Sequence, residues 1–226
     1  MIRKTASFLL CSFAAMLAVF IASFTAVRVL LSWDGFFEAA FLAEDAAAST
    51  GIASEELMEV HRITAAFVRG EDVSLDIVCE RFDGPIEFYK EDEKSHLGDV
   101  RDVFSALGGS FRISCVLAAC IFAGSWILLK GRISRYLKLT SLLGIIYTVF
   151  GSVMFDPLFT VLHRVLFPGG NWVFYPDISL MVNLYTEGVF IRCGALIASF
   201  ILVADGLLWL TAAIIEKRGK KNWKKT

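Results

Sequence analysis

The chain has 226 residues, of which 56% are hydrophobic; 20 are Phe and only 4 are Pro. An apolar share above the usual range of about 45–50% excludes a disordered chain and argues against an ordinary soluble globule. The 22 Lys and Arg nearly cancel the 23 Asp and Glu, so no net field favours a nucleic acid, and the five scattered Cys are too few for a disulfide framework.

In chain order, four apolar runs approach the roughly 20 residues that a helix needs to cross a bilayer core about 30 Å thick. They cover about 5–31, 113–129, 139–155 and 188–215. The first follows Met1-Ile2-Arg3-Lys4 and at first sight looks like a secretory signal. A signal core is only about 7–15 residues long, however, so the run reads as a retained span. In Leu9-Leu10-Cys11 no small residue precedes the cysteine, which argues against lipid attachment there.

Between the first two spans lies a long loop, 32–112. Its stretch 54–68 has Leu57, Val60, Ile63, Ala66 and Phe67 at helical spacing with acids in the first turn, which predicts a helix. His61 falls within it and is assigned to a solvated face. Residues 81–90 alternate and contain Gly84-Pro85, predicting a short hairpin or turn. Residues 95–107 predict another helix, leading through Gly108-Gly109 into the second span. The second long loop, 156–187, carries Phe159, Phe167, Trp172, Phe174, Tyr175 and Tyr185, the composition of an aromatic belt at a membrane interface.

Basic residues set the orientation. Twelve of the 22 lie before the first span, in the link 130–138 and in the tail 216–226, whereas 32–111 holds 18 acids and 6 bases. By the positive-inside rule both termini, the link and the tail are cytoplasmic, and loops 32–112 and 156–187 are extracytoplasmic. The expected fold is an all-α membrane protein. It has four transmembrane helices, forms one membrane domain over 1–226, and carries a mostly helical extracytoplasmic domain between spans 1 and 2.

Both remaining histidines stand where an outer segment meets the membrane. His96 and Asp99 are three apart, so on a helix they share a face and the carboxylate raises the basicity of the imidazole. Asp156 and His163 are two helical turns apart, with Pro157 suited to the first position of a helix capped by Asp156. Such a pair near lipid headgroups suits proton transfer on a lipid-borne substrate. For an isolated His–Asp pair, an interfacial hydrogen bond is the commoner role. Two histidines could also begin a metal site, but no third ligand at HxxxH or HExxH spacing supports one. Arg192 lies one turn inside the fourth span, and Arg28 and Arg164 stand at the outer interface; any of these could hold a phosphate, an acyl oxygen or a substrate peptide. Asp205, deep in the fourth span, is read as a hydrogen bond between helices.

Two blocks carry a family resemblance. One is Glu93-Lys94-Ser95-His96-Leu97-Gly98-Asp99-Val100-Arg101. The other runs from Phe155-Asp156-Pro157-Leu158-Phe159 through His163 to Leu166-Phe167-Pro168-Gly169-Gly170-Asn171-Trp172-Val173-Phe174 and Asp177. Their separation and the four-span layout resemble the bacterial lipoprotein intramolecular transacylase (Lit) family. Leu97 and Tyr185-Thr186 depart from the family pattern. The resemblance implies O-to-N transfer of the sn-2 acyl chain from the diacylglyceryl group of a lipoprotein to the α-amine of its N-terminal Cys, giving a lyso-form lipoprotein.

By that resemblance His96 and His163 are the catalytic pair, supported by Asp99, Asp156, Arg164 and Arg192, with Asn171, Trp172 and Phe174 in a substrate loop. An imidazole can take the proton of an α-amine whose ordinary pKa is near 8, and a second can serve the oxyanion or the leaving oxygen. The implied partners are a diacylated lipoprotein and membrane lipid. No cofactor, metal or nucleic acid is expected. Two other readings are a non-catalytic membrane assembly or sensor protein and a metal-dependent membrane hydrolase.

Overall fold

A computed structural model describes residues 2–129, 133–170 and 172–223. In order, the elements are α1 (Ile2–Leu30), α2 (Asp34–Ala43), α3 (Ala46–Thr50), α4 (Ser54–Val68), β1 (Val78–Arg81), β2 (Gly84–Glu87), α5 (Glu91–Leu129), α6 (Ile133–Val153), α7 (Phe155–Leu166), α8 (Leu180–Leu184) and α9 (Glu187–Trp223). The chain is mostly helical. It divides into two compact units, one of residues 1–26, 109–154 and 196–226, the other of Val27–Gly108 and Phe155–Ala195.

The first unit is built from the apolar parts of α1, α5, α6 and α9. All four helices are long and apolar enough to cross a membrane, and a third or less of each apolar window is buried within the protein. Their outward surface is therefore a surface for lipid rather than water. Where helices meet, small and polar side chains replace bulk, as expected without a hydrophobic force between helices in lipid. Cys11 and Ala15 of α1 pack on Leu143 of α6, flanked by Tyr136, Leu139 and Tyr147. The Ser12 and Tyr147 hydroxyls share a hydrogen bond. Asp205 of α9 is buried with its carboxylate over Gly144, where a Cβ would overlap it, and the Ser141 hydroxyl donates to the Asp205 carbonyl at 2.8 Å. Farther along α6, Lys138 pairs with Glu216 at 2.6 Å and lies over the Trp209 ring.

Several boundaries differ from the sequence expectation. Helix α5 runs unbroken from Glu91 to Leu129, so the helix expected over 95–107 and the span expected over 113–129 are one element. Gly108 and Gly109 do not end it, because helix-interior glycine costs only about 1 kcal/mol and no capping residue follows. At about 58 Å it is far longer than a bilayer core, so its polar first half lies beyond the apolar run. The link expected over 130–138 is helical from Ile133 onward, and α9 extends past 215 to Trp223. Helix α7 begins at Phe155, so Asp156 and Pro157 lie inside its first turn rather than at the cap and first position.

The second unit has its own core. Helix α4 occupies the predicted 54–68, with Glu55 and Glu56 in its first turn, and buries Leu57 and Val60. The expected hairpin forms as β1 and β2 in antiparallel register, Arg81 opposite Gly84, with Arg81 bonded to Asp83 across the turn. Lys94 of α5 reaches Asp76 at 2.6 Å, Glu91 at 3.0 Å and Glu87, tying the hairpin to the helix. Gly51 ends α3 at φ +70, in the left-handed region that favours glycine, and a Cβ there would press on Phe82.

His61 is not on a solvated face: it is buried. Its ring stacks on Phe37 at 3.9 Å and meets Phe41 edge-on, and its Nδ1 bonds the Tyr185 hydroxyl at 3.1 Å. Helix α4 is covered on that side by α2 and by the chain entering α9, cover that helical spacing alone does not reveal. The Tyr89 hydroxyl, fully buried, bonds Thr64 at 2.6 Å beside it.

Candidate active site

His96 stands on the second turn of α5. That helix starts with Glu91, Asp92 and Glu93 in its first turn, acids that favour the positive end of the helix dipole. Glu93 accepts the Lys90 backbone N–H at 2.8 Å, which is one half of a capping box. His163 stands in the last turn and a half of α7, a helix with no buried residue and a strongly one-sided distribution of apolar side chains. Leu158, Val161, Leu162 and Val165 are exposed on it, as in a helix that lies in a membrane interface.

The fold brings these two histidines together. Their ring centroids are 6.4 Å apart with planes inclined by 29°. The 160s–170s segment walls them with aromatics. Phe167 lies 4.8 Å from His96 and 5.4 Å from His163, Phe174 lies 5.6 Å from His96, and Trp172 lies 5.2 Å from His163. Phe159 stacks on His163 at 4.0 Å and packs on Phe190 of α9.

The two imidazoles differ in hydrogen bonding. His163 Nδ1 lies 2.8 Å from the Phe159 carbonyl. A carbonyl only accepts, so Nδ1 carries the proton and a neutral His163 presents a bare Nε2. His96 Nδ1 is buried and has no partner among the described residues. Burial first, and the neighbouring His163 second, push the His96 pKa below the ordinary histidine value, while Asp99 pulls the other way. His96 is therefore a neutral imidazole at neutral pH. The pair offers one free nitrogen lone pair and one unsatisfied nitrogen in an aromatic niche, the elements of general acid–base chemistry.

The other expected site residues are distributed unevenly around this pair. Trp172 and Phe174 are against the histidines, while Asn171 lies outside the described residues. Asp99 is exposed one turn beyond His96, and Asp156 is exposed two turns before His163. The Phe159 carbonyl, rather than Asp156, orients the His163 ring. Arg164 is exposed beside His163. Arg192 is engaged by Glu44 at 3.4 Å, and Glu44 also receives the Thr186 hydroxyl at 2.9 Å while covering Gly188 at the start of α9.

Two buried groups, Glu93 and Ser179, are not among the expected site residues. Glu93 has no exposed surface, and its second oxygen accepts a hydrogen bond from the hydroxyl of Ser179, itself buried. The capping-box position of Glu93 was a visible signal, but the Ser179 partner lies 86 residues away and has none.

Four membrane-length helices carrying a paired-histidine centre in an aromatic niche define a polytopic membrane protein equipped for acid–base chemistry. The chain belongs to the lipoprotein intramolecular transacylase Lit family, whose sequence model matches residues 10–190. It is thus an acyltransferase with four helices long and apolar enough to cross a membrane. No curated protein sequence matches it. Among solved structures it is similar to the membrane-integral Lit from Bacillus cereus, at 16% identity and a TM-score of 0.76, covering 97% of this chain and 98% of that one. Variants of that protein with one histidine replaced by arginine or by alanine align at 18% identity. Their TM-scores are 0.73 and 0.72, covering 97% of this chain and 95% and 96% of theirs. At these identities the likeness is one of fold.

Proposed function

We propose that the chain moves the sn-2 acyl chain of a diacylated lipoprotein from glycerol oxygen to the α-amine of the N-terminal Cys, leaving a lyso-form lipoprotein. The observation that carries this reading is the meeting of His96 and His163 inside one aromatic niche, beside a helix with an exposed apolar side. His163 Nε2, left bare by the Phe159 carbonyl, takes a proton from the Cys ammonium. The freed amine attacks the ester carbonyl, and His96, neutral through burial, donates an N–H to the developing oxyanion. Attack forms the C–N bond; the nitrogen then sheds its second proton to His163, whose first has passed to solvent, and collapse breaks the ester C–O bond as His163 hands that proton to the glycerol oxygen. Amine and ester belong to one molecule, so holding them in contact supplies much of the rate. Asp99, Asp156, Arg164 and Arg192 are supporting groups, and Asn171, Trp172 and Phe174 belong to the loop that meets the substrate.

In this reading the whole chain works as one membrane domain with both termini cytoplasmic. The acidic segments, including the helices and hairpin between the first two spans, face outward with the site. Its partners are the diacylated lipoprotein and surrounding lipid, with no metal or nucleic acid. An intramolecular transfer leaves the mass of the lipoprotein unchanged, so the test is fragmentation. Expressed in a bacterium whose lipoproteins are diacylated, the protein is expected to yield N-terminal peptides that fragment as N-acyl, S-monoacylglyceryl cysteine, in membranes washed with chelator as well as in untreated ones. Unaltered diacylglyceryl fragments would contradict the transfer. Conversion lost with chelator and restored by metal would favour a metal-dependent hydrolase ancestry of the site.

A further inference from the structure

Glu93 is fully buried although the proton transfers do not use it. One carboxylate oxygen accepts the Lys90 N–H at 2.8 Å and the other accepts the Ser179 hydroxyl. Ser179 is in turn the N-cap of α8, its oxygen accepting the Val182 N–H at 3.2 Å. A carboxylate withdrawn from water in this way is tolerated only with such donors, and losing one leaves a buried oxygen unpaired. The position of the bond matters more than its strength. Glu93 lies one turn before His96 on α5, and Ser179 closes the segment whose Phe167, Trp172 and Phe174 wall both imidazoles.

We propose that Glu93 and Ser179 form a clasp that holds the aromatic wall against the paired histidines, which makes both of them positioning residues for acyl transfer. The proposal rests on the reading of His96 and His163 as the catalytic pair. Opening the clasp lets the wall move and admits water to His96. The groups facing that imidazole are His163 from α7, Asp99 from its own helix and the rings of Phe167 and Phe174. With the rings withdrawn, burial depresses its titration less; a charged His96 repels both the Cys ammonium and a proton on His163, so the acid limb of the rate profile moves to higher pH, toward the ordinary histidine value. A variant that only lowers the amount of folded enzyme scales the profile without moving it.

The experiment uses the full-length protein in detergent micelles and a synthetic S-(2,3-diacylglyceryl)cysteinyl peptide, with rates read from about pH 5 to 9 across the histidine range. Ser179→Ala is expected to lower kcat roughly 10- to 100-fold, as misplacement by about 1 Å does, and to shift the acid limb upward. Glu93→Gln keeps a carbonyl for Lys90 and an amide N–H for Ser179, so it is expected to retain more activity than Ser179→Ala with a smaller shift. Wild-type rates and profiles in both variants, beside an inactive His96→Ala, would overturn the clasp and leave the histidine reading standing. A lowered rate with an unmoved profile would also overturn it, as a purely structural role. An active His96→Ala would instead remove the histidine reading and the clasp with it.

Discussion

His163→Ala is expected to lose acyl transfer by about 10²–10⁴-fold, the usual worth of a positioned general base. The imidazole is fixed on both sides: its Nδ1 by the Phe159 carbonyl at 2.8 Å, its face by the Phe159 ring at 4.0 Å. No other described side chain in the niche offers a nitrogen lone pair in that place except His96, whose titration burial pushes down. His96→Ala is expected to cost a similar factor through loss of the oxyanion donor. Because base and oxyanion donor act on one transition state, the double variant should be no worse than about tenfold below either single one. The rates come from fragment-ion quantification, with a thermal melt in detergent beside them. His163 sits on a helix with no buried residue, so its removal should leave the melting temperature within a few degrees of the parent. Retained rates in either single variant would show that the histidines are not the catalytic pair.

The second large effect is on stability and its dependence on pH. His61 is buried and stacked on Phe37, and burial pushes its pKa down to about 4, against the opposing charge of Asp34. An unfolded histidine titrates near 6.5, so between these values the unfolded chain binds a proton that the folded one refuses. Stability therefore falls as pH drops through that window, by on the order of 3 kcal/mol in all. The melting temperature in detergent should fall steeply between about pH 6.5 and 4. His61→Phe keeps the stack and removes the titration. It is expected to melt with much less pH dependence, at a cost near neutral pH of about 1 kcal/mol for the lost Tyr185 bond. An unchanged slope in His61→Phe would assign the acid sensitivity to other groups.

Periodicity located α4 to its ends because its apolar stripe and acidic first turn are local properties, and the hairpin was visible in the turn residues at Gly84. The four spans were visible in length and hydropathy. Their ends were not, since a helix can run from water into lipid without a local signal, as α5 does through Gly108 and Gly109. Site residues followed the same division. His96, His163, Trp172 and Phe174 were singled out by residue type and by resemblance, and the fold brings them into contact. What was hidden depends on distant partners: the burial of His61 under Phe37 and Tyr185, the Glu93–Ser179 bond and the engagement of Arg192 by Glu44. Asp156 shares the helix face expected of it, yet a backbone carbonyl one turn from His163 is the nearer orienting group. Sequence spacing marks side chains that could meet and is blind to main-chain acceptors.

A crossover experiment bears most directly on transfer within one lipoprotein. Two synthetic diacylated peptides are mixed, one with a heavy sn-2 acyl chain on a light peptide, the other with a light acyl chain on a heavy peptide. Incubated with the full-length protein, they are expected to give heavy N-acyl only on the light peptide and light N-acyl only on the heavy one. Heavy peptide bearing the heavy acyl chain in its amide, in the proportion set by random exchange, would contradict the intramolecular transfer on which the site reading depends.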